Sequence, residues 1–345
     1  MRRSRPVLLV LILAAAALAC NLPGLQAAQP TGAAATGPAE ASRTSPPPAT
    51  GEPPTLAVVT PEVTPTAPIV HTMFPGEPPA PARFMTDRST APLAADRRSI
   101  ADNFNIGAFE RPFTSQAMEY KGYLDLTRAE IAGSGPWMYV TLSLEWPPVA
   151  AAPASYAVEI DTDMDGRGDW IVIGGAPPGT DWTTDGVRVY QDTNNDVGAN
   201  TPVQSDPPSS TDGYETLVFD QGSGPDPDAA WIRISPAAPN RIQLAFKAAL
   251  IAGDAEFLWW GWAFADPQPA QQDYQDHFTL AQAGSPLSES PHYPIKDLAL
   301  IDSTCRWGYD FNPSPGLPGV CPPPPTPTPT PTKTKTPTAT PIIIF

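Results

Sequence analysis

The 345-residue chain is short of the side chains that do most chemistry: it has three histidines, three cysteines, and 20 basic residues against 36 acidic ones. His71, His277 and His292 are scattered, and none stands beside a nucleophile motif. G-x-S-x-G, H-E-x-x-H, P-loop and Rossmann patterns are missing as well. With so many carboxylates no pair is singled out for acid–base work, so the chain is not expected to be an enzyme. A formal net charge of −16 lacks the basic footprint that a phosphate backbone requires, which excludes nucleic acid as a partner. No amphipathic helical stretch matches the strand signals in length, and no repeat of fixed period points to a solenoid or propeller.

Proline is abundant instead. Forty-eight prolines far exceed the usual share of about 5%, and their concentration at the two ends draws the domain boundaries. Residues 1–19, with Arg2, Arg3 and Arg5 ahead of an apolar run and small residues, have the build of a secretory signal. Its removal would make the protein three units more negative. Residues 20–82 are rich in Pro, Ala, Thr and Ser, with no periodicity that could build a core, and read as an extended tether. Residues 322–345, "PPPPTPTPTPTKTKTPTATPIIIF", read as a polyproline-like stalk. The folded domain is therefore expected over 83–321.

Within it, strand signals separated by turn residues recur near 123–132, 137–146, 156–160, 169–174, 186–191, 214–220, 230–235, 241–247 and 256–265. Residues 247–256 read as a single helical turn crossing between two strands. Ile242, Leu244 and Phe246 share one face of their strand, as do Val187 and Val189 of theirs. Such half-apolar strands need a second sheet to cover them. The expected fold is all-β, an antiparallel, jelly-roll-like β-sandwich with disordered Pro/Thr-rich ends.

The turn "DTDMDGRGD" concentrates like charges that repel one another unless a cation lies among them. Asp161, Asp163, Asp165 and Asp169 fall at positions 1, 3, 5 and 9 of a calcium loop, with Gly166 at the sharp turn and the Arg167 carbonyl at position 7. Position 12 is Val172 rather than Glu, and the flanks are strands, so the motif reads as a calcium-stapled hairpin. The competing reading is a solvated acidic turn held by Asx hydrogen bonds. A second candidate, Asp192, Asn194 and Asp196, repeats the 1, 3, 5 spacing with Val197 in place of glycine, where ordinary turn chemistry competes equally. The aromatic run "FLWWGWAF" supports either core packing or a sugar-stacking platform, in which Trp259, with Trp182 nearby, would be exposed. Gly261 within it marks a bulge or a close approach.

The order "YLDLTRAEI … WMYVTLSLEW … YAVEIDTDMDGRGDWIV … RIQLAFKAALIAGDAEFLWWGWAF" resembles the β-sandwich superfamily of carbohydrate-binding module 9 and DOMON-like domains over roughly residues 100–285. The whole chain, with "DHFTLAQAGSP" and a closing Cys pair before a Thr-Pro tail, is similar to bacterial surface lipoproteins. That resemblance implies a sandwich fold displayed on the cell envelope, binding an extracellular carbohydrate or a surface protein. It does not imply haem, because no axial Met or His pair can be placed. "ALAC" resembles a lipobox, which implies lipidation at Cys20 and a membrane anchor; the alternative is a free or disulfide-bonded Cys20. With Cys20 modified, Cys305 and Cys321 remain, sixteen positions apart, as a disulfide or as two free thiols. Closing that loop contributes roughly 3 kcal/mol on the chain-entropy account.

Overall fold

The computed structural model describes residues 68–322 apart from 101, 104–105, 115–116, 150–151, 196, 198–212, 266–298 and 318. Signal, lipidation site, most of the tether and the Thr-Pro tail lie outside the described residues, as do His277, His292 and Asp196. Thirteen strands are described: β1 Arg83–Thr86, β2 Glu110–Arg111, β3 Leu126–Ser134, β4 Trp137–Leu144, β5 Ser155–Asp161, β6 Trp170–Gly175, β7 Val187–Gln191, β8 Thr216–Asp220, β9 Ala230–Ile234, β10 Arg241–Lys247, β11 Leu258–Phe264, β12 Ile301–Ser303 and β13 Trp307–Gly308. The helical elements delimited among the described residues are one turn, α1 Ala91–Ala94, and a 3-10 turn at Ala248–Ile251 that carries the chain from β10 towards β11.

The strands form two antiparallel sheets, one ordered β1-β3-β4-β10-β9 and the other β2-β12-β11-β5-β6-β7-β8, with β13 also paired to β11. All nine strand readings and the helical turn correspond to elements. Missing from them are β1, β2, β12 and β13, which are too short to show alternation. The sheets pack face to face. Leu142 and Ile131 of one side and Tyr156, Val158, Ile160, Val172 and Trp259 of the other belong to one buried core. Burying each such side chain stabilises the fold by roughly 1.5–3 kcal/mol. Gly261 is the point of close approach: a Cβ there would lie 2.7 Å from the Leu142 Cδ2. Thr304 seals the same position, donating its amide to the Gly261 carbonyl at 3.0 Å and accepting the Gly261 amide at 3.0 Å.

Both sheets also have apolar outer faces, and each is covered. On the larger sheet Trp260, Trp262 and Phe264 meet Phe109, Tyr190, Tyr214 and Ile301. On the smaller sheet Trp137, Tyr139 and Trp231 are covered by residues from the end of the stretch read as tether. There His71 packs on Trp231 with ring centroids 4.7 Å apart, and Phe74 lies 5.2 Å from the same ring. Asp228 accepts bonds from the Thr72 and Met73 amides, and Glu77 grips Arg233 through two bonds of 2.9 and 2.7 Å. Residues 68–82 are thus a strap on the sandwich. Their proline-rich backbone needs no ladder hydrogen bonds, while the aromatic face beneath needs cover.

Candidate metal centre

The acidic turn joins β5 to β6 at one end of the larger sheet. Strand alternation sends Tyr156, Val158 and Ile160 into the core and turns Glu159 and Asp161 to the outer face, where Asp161 is fully buried. Asp161, Asp163 and Asp169 converge: one carboxylate oxygen from each lies within 4.8 Å of the others. Ligands sharing a calcium ion at 2.3–2.6 Å stand no more than about 5 Å apart, so this triad fits one hard cation.

Hydrogen bonds show which oxygens remain for an ion. The Gly166 amide donates to Asp161 Oδ2 at 3.0 Å, and Gly166 adopts a φ of 97° that favours glycine. Asp161 Oδ1 is buried with no hydrogen-bond partner among the described residues. Burial pushes the Asp161 carboxyl up to about 7; Asp169 and Asp165 add repulsion, while Arg306 and the Gly166 amide act the other way. Asp163 is raised too, first by burial. Asp169 is held in place by Thr162, whose amide and hydroxyl both donate to its Oδ2.

Asp165 does not join the triad. Its Oδ1 accepts the Arg167 amide at 2.8 Å and its Oδ2 accepts the Asn195 side-chain amide at 2.8 Å, so it ties this turn to the next one. Arg167, expected to offer its carbonyl, reaches the Val197 carbonyl with its guanidinium at 3.5 Å.

The turn after β7 copies the first in backbone: Met164 and Asn195, at position 4 of each, have φ of 61° and 60°, and the Val197 amide donates to Asp192 Oδ2 as Gly166 does to Asp161. The Asn194 and Asn195 amides occupy Asp192 Oδ1 at 3.0 and 2.8 Å. Both oxygens of Asp192 thus accept backbone amides in the manner of an Asx-type turn, while Asp196, the third member of this candidate, lies outside the described residues. Val197 replaces glycine here because its side chain is buried against the outer aromatic cluster.

Of the two aromatic readings, core packing holds and the platform does not. Trp259 is 0% exposed, and Trp260 and Trp262 are no more than 1% exposed, so no sugar can stack on them. Trp259 faces the opposing sheet, and the chain around Phe109 and Tyr214 covers its neighbours. Trp182 is half-buried, donates to the Gly76 carbonyl at 3.1 Å, and carries the Arg233 guanidinium 4.3 Å above its ring. It fastens the strap.

Cys305 and Cys321 form the disulfide. Arg306, beside Cys305, is buried 4.0 Å over the Trp260 ring, and its charge acts on Asp161. Arg306 and the bridging Asn195 were not singled out from sequence; adjacency to a cysteine was the one available signal for Arg306. No family model matches the chain, and no curated protein matches it significantly.

Proposed function

We propose that the protein is an exported, lipid-anchored display protein whose β-sandwich is an interaction module rigidified by calcium at the outer face of the cell envelope. The leader and Cys20 support the anchor, and the acidic surface and Pro-rich ends suit an extracellular stalked domain. The observation that carries the calcium reading is Asp161: a buried carboxylate with one oxygen bonded to the loop and the other open beside Asp163 and Asp169. All donors are oxygens, which suits a hard divalent cation. The resemblance to carbohydrate-binding module 9 and DOMON-like domains agrees with this role, but burial of Trp259 shifts weight from glycan capture to contact with a surface protein.

One observation keeps a glycan in view. Trp146 is 46% exposed, rests on Gly122, and has Tyr120 edge-on at 4.9 Å. The test is a thermal melt of the full chain in calcium and then in chelator, followed by a glycan screen of the calcium-treated protein. An ion that binds the native state raises the melting temperature. No shift would sink the calcium reading, and glycan retention abolished by Trp146→Ala would move the conclusion to carbohydrate binding.

A further inference from the structure

A second acidic cluster lies far from the β5–β6 turn. Asp87 follows β1, Glu110 lies in β2, Asp125 precedes β3 and Asp302 lies in β12. They meet where the β1–β3 edge of the smaller sheet comes against the β2–β12 edge of the larger one. Asp125 and Asp302 are 0% exposed and Glu110 is 4% exposed. One oxygen from each of Asp87, Glu110 and Asp302 lies within 4.8 Å of the others.

Each aspartate spends one oxygen on the protein. Asp302 Oδ2 accepts the Leu126 amide at 2.6 Å, which already bridges the sheets. Asp125 Oδ2 accepts the Tyr120 hydroxyl at 2.6 Å and the Thr90 amide at 2.8 Å. Asp87 Oδ1 accepts the Arg88 amide at 2.8 Å. Left over are Asp87 Oδ2, Glu110 Oε2, Asp125 Oδ1 and Asp302 Oδ1, four buried oxygens without a hydrogen-bond partner among the described residues.

We infer that the Asp87, Glu110 and Asp302 carboxylates form a second, buried divalent-cation site of the calcium class, stapling the two sheets together along their shared edge. Leaving several carboxylates out of water without compensation costs several kcal/mol per charge, and their mutual repulsion adds to it. A divalent ion among the three converging carboxylates converts repulsion into attraction and supplies what their geometry lacks. All-oxygen donors disfavour zinc, and a site enclosed by protein carboxylates suits calcium better than magnesium, which keeps most of its water. An ion can reach it: Asp87 and Glu110 line a cleft of about 710 Å³, with Ile100, Ala108 and Trp307 on its walls. The site goes beyond the proposed function and does not depend on the β5–β6 turn.

The test counts calcium per chain on full-length protein stripped with chelator, reloaded with calcium as the sole metal, and desalted. The chains are wild type, a turn-disabled Asp161→Asn/Asp163→Ala variant, and a Glu110→Gln/Asp302→Asn variant. The expected result is one calcium retained by the turn-disabled chain and lost when Glu110→Gln/Asp302→Asn is added. The Glu110→Gln/Asp302→Asn chain should also melt no lower than wild type in chelator, because repulsion is relieved, yet gain less from calcium. A turn-disabled chain that retains no calcium, or whose retained ion survives the added substitutions, overturns the site. Should the double substitution unfold the chain by circular dichroism, Asp87→Asn at the margin of the cluster is read by the same count. A chain that loses its only calcium through Glu110→Gln/Asp302→Asn would leave this site standing and refute the turn instead.

Discussion

At the scale of single residues, the acidic turn separates two roles that spacing alone makes equivalent. Asp163 contributes to the converging triad, whereas Asp165 spends both oxygens on Arg167 and Asn195. Asp163→Ala should therefore lower the melting temperature in calcium and change little in chelator. Asp165→Ala should cost about 1 kcal/mol in both conditions, the net worth of the hydrogen bonds it removes. Paired denaturant titrations with and without calcium check this; a calcium-specific loss for Asp165→Ala would return it to the ligand set. The 1, 3, 5, 9 spacing was legible because alternate positions of an extended turn present oxygens to one side. That Asp165 leaves the set was not legible, since its partner Asn195 comes from another turn.

At the scale of elements, the strap over residues 68–82 depends on Asp228. Burial pushes the Asp228 carboxyl up, but the bonds from Thr72, His71 and Met73 together outweigh it and hold the group below its ordinary value. The sign follows: a carboxyl with a lowered folded value contributes stability that is fully present above about pH 4 and is lost as pH falls through the lower folded value. Glu77, lowered by its bonds to Arg233, acts in the same direction, though its exposure weakens it. The strap should therefore loosen in acid below about pH 4, exposing Trp231, and Asp228→Ala should loosen it already at neutral pH. Limited proteolysis between 68 and 82 and a red shift of tryptophan emission measure this. Cleavage unchanged by the substitution would count against Asp228 as the clasp.

At the scale of the whole molecule, the disulfide ties the last described stretch of the domain to the segment that follows β12. It closes a loop of sequence separation 16, worth roughly 3 kcal/mol by loop closure. It also fixes Arg306, whose amide donates to the Gly319 carbonyl and whose carbonyl accepts the Cys321 amide. Cys305→Ser/Cys321→Ser should lower stability by about 2–4 kcal/mol. By freeing Arg306 from its place over Trp260, it should also alter calcium affinity at Asp161. Denaturant midpoints and calcium titration of the paired variant check the two effects. A stability loss with unchanged affinity would show that Arg306 is held without the bridge.

Alternation in the sequence was enough to place nine strands, the helical turn and the two-sheet architecture, because period two is a property of the local backbone and survives wherever a strand has one buried face. Cysteine count likewise led to the Cys305–Cys321 pair, and charge spacing to the β5–β6 turn. Tertiary structure alone decided that Trp259 is core and not platform, since both faces of β11 alternate apolar residues and only the covering segments determine which are wet. It alone joined Asp87, Glu110, Asp125 and Asp302, which lie in four separate stretches of the chain and share no spacing. It also turned residues 68–82 from tether to strap: a proline-rich stretch has no periodicity of its own, and its order comes from the aromatic face of β4 and β9 on which it lies.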